Sequence, residues 1–240
     1  MKVQTSIKSL IKESFILFKE NILILLGLIF GGIVFALLLS IPTTFQIGGI
    51  AGATASTFLR VIFQVIFSGM LIKYCLMAIK SYDPGFKEIL PSVAQCLNLI
   101  GFSLLTSIFA VPYFVLMGSA MYMSASPEML PGWIIVALVI YTLCLIYIFT
   151  FKLWAVSYLI LDKNDGVITS IKKSWKITKG NEFSFLKIIL ISALFMIVGL
   201  IALIIGVFVA LAFSSLLLTL YYSKIATQLN DGEETTSYEE

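Results

Sequence analysis

Residues 21–59 read NILILLGLIFGGIVFALLLSIPTTFQIGGIAGATASTFL, thirty-nine consecutive positions without a charge. A helix crosses the roughly 30 Å hydrocarbon core of a bilayer with about 20 apolar residues, so this run is too long for one crossing. A break lies inside it, at Ile41-Pro42-Thr43-Thr44 and the small-residue stretch 48–57, because proline cannot continue the backbone ladder. The reading is a membrane span over 21–41 and a second over 58–80. Three further charge-free intervals, 91–127, 129–151 and 188–223, extend the pattern along the chain.

Composition agrees. Of 240 residues 60% are hydrophobic and 12% charged, with a mean hydropathy of +1.04; soluble domains are nearer half apolar and a quarter charged. The expected fold class is therefore all-α, a polytopic integral membrane protein with about six transmembrane helices and amphipathic interfacial helices on the cytoplasmic side. After the turn-forming Ser81-Tyr82-Asp83-Pro84-Gly85, the third span covers 93–120 with a kink at Pro112. A polar loop with Pro127 and Pro131 leads into the fourth, 132–160. The final apolar stretch from Phe183 to Ser223 would be about 60 Å long as one helix, twice the bilayer core. It reads as a hairpin, 183–201 and 204–226, that breaks between Gly199 and Gly206. Residues 1–229 form a single membrane domain, and the acidic, apolar-poor 230–240 reads as a disordered tail.

Lysine sets the expected orientation. With the N-terminus inside, the inner segments hold Lys2, Lys8, Lys12, Lys19, Lys80, Lys87, Lys163, Lys172, Lys173, Lys176, Lys179, Lys187 and Lys224, whereas the outer loops hold none and only Arg60 sits near that side. This is the positive-inside pattern. It places a multi-pass protein in the cell (cytoplasmic or inner) membrane with both termini cytoplasmic. Trp133 and Trp154 lie 21 residues apart, about 31 Å along a straight helix, which suits one indole in each interfacial belt.

A repeat appears next. Ile11-Lys12-Glu13-Ser14-Phe15-Ile16-Leu17-Phe18-Lys19-Glu20-Asn21 and Ile171-Lys172-Lys173-Ser174-Trp175-Lys176-Ile177-Thr178-Lys179-Gly180-Asn181 share the frame I-K-x-S-aromatic-x-x-x-K-x-N at an offset of 160. Each copy ends just before an apolar run. In the second copy Ile168, Ile171 and Trp175 recur at helical spacing, with the lysines mostly elsewhere, as in helices that lie in the interface plane. Interfacial helices are expected over 5–20 and 167–180, with Lys12, Lys19, Lys172, Lys173, Trp175, Lys176 and Lys179 as lipid-contact residues. Phe86-Lys87-Glu88-Ile89-Leu90 reads as a shorter third version. The organisation is three hairpins, each introduced by such a segment, as parallel repeats.

The stretch 170–181, SIKKSWKITKGN, followed by the hairpin with Gly199 and Gly206 and then Tyr221-Tyr222, resembles the glycerophosphoryl diester phosphodiesterase membrane-domain family. The aromatic-rich fourth span and the LDKNDG that precedes the motif fit as well. The resemblance is best over 130–228 and looser over 58–120. It implies fold and topology: the family's name comes from members with a fused hydrolase domain, and the membrane part is not the catalyst.

Chemistry is constrained by what the chain lacks. It has no histidine, the usual general base and commonest metal ligand. None of its thirteen acids lies inside an expected span, and no phosphate loop, zinc motif or nucleophile elbow is present. Cys75, Cys96 and Cys144 show no metal or disulfide spacing and read as small apolar residues. The expectation is a protein that is not an enzyme, without catalytic, cofactor-binding or metal-ligating residues, in a membrane-organising or accessory role. Its partners are membrane lipids and a membrane protein or a second copy of itself, with no nucleic acid. The alternative is a small-solute transporter or permease component built on intramembrane polar residues. In the second span these are Arg60, Gln64 and Ser68 on one face, with Lys73 opposite. In the third they are Gln95, Asn98, Ser103 and Thr106 within one arc. Interhelical hydrogen bonding is the favoured reading of the uncharged members, and Lys73 and Lys152 reach the cytoplasmic interface by snorkelling. Gly27 and Gly31 form a GxxxG pair beside Gly32, suited to close helix contact within or between chains.

Overall fold

The computed structural model describes residues 6–44, 49–80, 84–124 and 132–236. Among them the order is α1 (Ile7–Thr44), α2 (Gly49–Ile79), α3 (Phe86–Ile89), α4 (Val93–Ser124), α5 (Gly132–Tyr147) continued by a π-helical turn (Ile148–Lys152), α6 (Val156–Lys163), α7 (Val167–Thr178), α8 (Glu182–Ile201) and α9 (Leu203–Thr236), with no strand. Six segments are long and apolar enough to cross a membrane: Ile7–Ile41, Thr54–Ile79, Phe86–Val115, Ile135–Lys163, Glu182–Ile201 and Ile205–Thr227. The chain is an all-α polytopic fold.

Packing runs as three antiparallel hairpins, α1–α2, α4–α5 and α8–α9. The second helix of each meets the first of another: α2 packs on α4 and α9 on α1, while the π turn meets α8 where the Phe151 and Phe185 rings lie edge-on at 6.1 Å. The centre is α9. Half of its most apolar window is buried, against a third or less in the other spans, through Phe213, Leu216, Leu217, Leu220, Tyr221 and Ile225. A helix enclosed on several sides needs apolar residues all round. α1 buries only one stripe, Leu10, Ser14, Phe18, Leu25, Ile29 and Gly32, and leaves Leu23, Phe30, Leu37 and Leu38 exposed.

Several expected boundaries move. The interfacial helix 5–20 and the span 21–41 are one unbroken helix from Ile7 onward. Lys19 and Glu20 are good helix formers, and Asn21 folds its amide back to the Leu17 carbonyl at 2.8 Å, so nothing there stops the helix. α2 starts at Gly49 rather than 58, with Gly49 in the left-handed region at φ 62°. α4 continues past 120 to Ser124, through Pro112. The fourth span is not one helix over 132–160. The π turn ends with Leu153 N–H donating to the Ile148 carbonyl, and the chain restarts at Val156. A π turn takes in an extra residue and rotates the helix beyond it; no glycine or proline announces it here.

The last two spans form the expected hairpin, which reverses at Ala202, between Gly199 and Gly206 as the sequence reads. Gly199 and Gly206 are not the turn. They face each other across it, and a Cβ on Gly199 would stand 2.5 Å from the Gly206 carbonyl oxygen. These glycines let two backbones touch. Of the tail, the backbone of α9 reaches Thr236 and 237–240 lie outside the described residues, as do most of the loop with Pro127 and Pro131 and the turn residues 81–83.

Candidate functional site

The two copies of the frame share a burial pattern. Compared position by position, 7–20 and 167–180 fall in the same exposure class at twelve of fourteen sites. Ser14 and Ser174 are fully buried, Phe15 and Trp175 are 49% and 47% exposed, and Lys12, Lys19, Lys172 and Lys179 are exposed. The asparagines correspond too. Each donates its side-chain amide to the carbonyl four residues back, Leu17 and Ile177. Each also receives a tyrosine O–H from the second helix of its own hairpin, Tyr74 onto Asn21 Oδ1 at 2.6 Å and Tyr221 onto the Asn181 carbonyl at 3.3 Å. The two segments thus correspond in burial and in their asparagine hydrogen bonds as well as in sequence.

The frames differ in how they meet the bundle. α7 docks through Ser170, Ser174, Ile177 and Thr178, and Ser174 Oγ donates to the Lys152 carbonyl at 2.6 Å. Its outer side shows Ile168 and Trp175 with Lys172, Lys176 and Lys179. Lys173 turns back to pair with Asp165 at 2.7 Å. On α1, Lys19 lies over the Phe15 ring at 4.7 Å, and Glu13 pairs with Lys224 of α9 at 2.6 Å. Among the described residues Lys12, Lys172 and Lys179 have no side-chain partner. Six of the seven expected contact residues thus gather as exposed groups at one end of the bundle, with Lys173 tied to the protein.

Beneath α7 lies a cluster that sequence reading missed. Trp154 stacks on Phe185 at 4.3 Å and on Tyr221 at 5.8 Å, so it is packed in the bundle and not in an interfacial belt. Trp133 is 68% exposed, and the π turn voids the straight-helix spacing between the two. Lys152, expected to snorkel, is buried. It pairs with Glu182 and lies 5.4 Å from the Trp175 ring centroid. Nearby, Asp162 accepts from Lys80 at 3.0 Å and Tyr222 stacks on Tyr158 at 5.0 Å. The aromatic density of the fourth span was the available signal, but which aromatics meet depends on the π turn.

The expected polar faces separate. Gln95 belongs to a capping box that starts α4: its Oε1 accepts from Ser92 N–H at 2.9 Å, its own N–H donates to Ser92 Oγ, and its amide donates to the Leu161 carbonyl at 3.0 Å. Asn98 donates to the Asp165 carbonyl at 3.4 Å, and the Thr106 hydroxyl to the Ser103 carbonyl. Lys73 donates to the Leu90 carbonyl at 2.8 Å. Gln95, Asn98 and Lys73 thus tie separate elements together, while the Thr106 bond stays within α4. Arg60, Gln64 and Ser68 turn the other way, into a groove of about 580 Å³ between α1, α2 and α9. Ser103 lines a different cavity, between α2 and α4. Gly27 and Gly31 meet nothing within 4 Å of an added Cβ, whereas Gly32 admits the Phe67 ring. Cys75 is buried, Cys96 half-buried and Cys144 exposed, on three different helices.

Six apolar spans, α9 the most enclosed of them, with basic and aromatic residues at one end, make this a polytopic α-helical membrane protein. No family model, curated protein or solved structure matches the chain.

Proposed function

We propose that this is a non-enzymatic, multi-pass protein of the cell membrane, both termini cytoplasmic, that organises anionic lipid headgroups along its lysine-rich face. The observation that carries the reading is the repeated frame. Twice, 160 residues apart, a buried serine fixes one side of a helix against the bundle while a half-exposed aromatic and exposed lysines point away. An aromatic ring suits the apolar edge of the headgroup layer, and each lysine near an anionic surface contributes about 1 kcal/mol of attraction. The resemblance of 170–181 to the phosphodiesterase-associated membrane domains fits such an accessory role. Of the polar residues singled out for a transport path, Arg60, Gln64 and Ser68 line one groove and Ser103 another cavity, while Gln95 and Asn98 are engaged with backbone carbonyls.

The test uses the full chain in bilayers of mixed phosphatidylglycerol and phosphatidylcholine, with a photoreactive group on the lipid headgroup. Labelling is expected on 165–182 and 8–20. Replacing Lys172, Lys176 and Lys179 by Gln should lower labelling of 165–182 at least about fivefold at low salt and much less at high salt, where the charges are screened. Uniform headgroup labelling, indifferent to both the substitutions and salt, would sink the reading.

A further inference from the structure

Arg60 stands in α2 six residues after the start of its apolar segment at Thr54, about 9 Å along the helix. It is at the end away from Lys80. Among the described residues it has no ion-pair or hydrogen-bond partner, whereas the lysines nearest the bundle interior, Lys73 and Lys152, are each satisfied. An arginine at membrane depth is costly unless something neutralises it, and such residues mark functional sites by default. The guanidinium presents a planar fork of donors matched to phosphate oxygens.

The groove it enters has a particular shape. Below Arg60, Gln64 and Ser68 follow on the same face of α2, and Ser215 of α9 joins them deeper in. Ser68 satisfies its hydroxyl on the Val65 carbonyl; Gln64 has no polar partner among the described residues. Apart from Ser40, the remaining wall is hydrocarbon and ring, chiefly Ile33, Leu37, Phe63, Phe67 and Leu211. The Phe63 and Phe67 rings of this wall stack at 5.6 Å, and Phe35 meets Phe63 from outside the groove lining at 4.1 Å. From Arg60 to Leu71 the groove follows α2 for about 16 Å, close to half of a ~30 Å hydrocarbon core. Ile33, Leu37, Arg60, Gln64 and Ser68 are all exposed, so the groove opens sideways.

We propose that this groove binds one phospholipid from the leaflet opposite the lysine-rich face, its phosphate on Arg60 and an acyl chain along Phe63 and Phe67. The charge calls for an anion at one end only. The apolar wall calls for hydrocarbon beneath it, and the length is that of a single leaflet. A free phosphate uses the cation and leaves the wall empty; a neutral acyl lipid does the reverse. The site stands independently of the headgroup contacts of α1 and α7, which lie at the other end of the bundle.

The experiment reconstitutes the full chain with phosphatidylglycerol carrying a diazirine partway down one acyl chain, and maps the crosslinks by mass spectrometry. Labelling is expected to concentrate on the groove residues of α1, α2 and α9. Arg60→Gln should cut it about tenfold, the loss of one charge-assisted contact, and Arg60→Lys should restore much of it. Ala36→Leu, which narrows the groove and leaves the cation, should also lower it. An arm on the unaltered protein keeps the test independent of variant folding. Unlabelled phosphatidylglycerol should compete, while diacylglycerol of the same chains and inorganic phosphate should not. Labelling spread evenly over the exposed apolar faces of α1, α4 and α5, or displaced equally by diacylglycerol, would overturn the proposal. Displacement by inorganic phosphate alone would make the groove a simple anion site and overturn it as well.

Discussion

Two stretches of this protein share one sequence frame and one burial pattern, yet one is the start of a long unbroken helix and the other a separate helix ending in a turn. The first frame runs through Lys19-Glu20-Asn21 without interruption into α1. The second stops at Thr178, turns at Gly180 with φ 85°, and restarts as α8 at Glu182. Glu20 and Gly180 occupy the same place in the frame. Glutamate favours a continuing helix, whereas glycine enters the left-handed region without the steric cost of a Cβ. At that place the two frames part: the first helix continues into the bundle and the second ends. The buried serine, the half-exposed ring and the asparagine that ties two helices survive the difference.

The largest expected effect comes from what braces the bend. Trp154 fills the space under α7 by stacking on Phe185 and Tyr221, and the first frame has no such stack. Trp154→Ala should cost about 3 kcal/mol or more, as truncations of large packed aromatics do. Hydrogen exchange should show protection lost over 177–190 and kept over 17–30. Equal loss in both segments would mean that the two frames share one support.

Exchanging the residues at the branch point is the next test. Gly180→Glu forces a side chain into a left-handed backbone and should lower stability by about 1–2 kcal/mol, read as a lower melting temperature in detergent. Glu20→Gly places glycine inside a helix and should cost about 0.5–1 kcal/mol, without bending α1. A neutral Gly180→Glu would show that tertiary packing, and not the glycine, makes the bend.

The smallest effect is the sharpest comparison. Ser174 Oγ donates to the Lys152 carbonyl at 2.6 Å, whereas the Ser14 hydroxyl is buried without a hydrogen-bond partner. Ser174→Ala should therefore cost about 1 kcal/mol, and Ser14→Ala should be neutral or slightly stabilising, because it removes an unsatisfied polar group. Chemical denaturation of the two variants side by side gives the answer. Equal losses would mean that both serines act only through their small size.

Much of the candidate surface was legible in the chain, because exposed lysines and half-exposed rings advertise themselves at helical spacing. The frame at offset 160 located Lys12, Lys19, Lys172, Trp175, Lys176 and Lys179 from spacing alone. It also named Lys173, which instead pairs with Asp165, eight residues upstream across a turn. It also missed the inward Lys152, which depends on a π turn that no glycine or proline marks. The polar residues of the second and third spans were correctly picked out as polar within apolar helices. Their joint use was not foreseeable, since Gln95 and Asn98 hold the α6–α7 connection while Arg60 and Gln64 face α1 and α9.

By itself the sequence determined that the protein has six apolar crossings, that the last forty residues before the tail fold back on themselves, and that one basic-aromatic frame occurs twice. Hydrocarbon enforces these through length and charge alone: a helix must be long enough to cross, and a lysine must not be left in the middle. Only the tertiary structure decided which way each crossing is turned. A helix apolar on every side carries no signal for its inner face. That Gly199 and Gly206 touch across the hairpin, that Trp154 stacks beneath α7, and that Arg60 opens into a groove were settled by neighbouring helices, through close packing and through the hydrogen bonds that hydrocarbon leaves no solvent to replace.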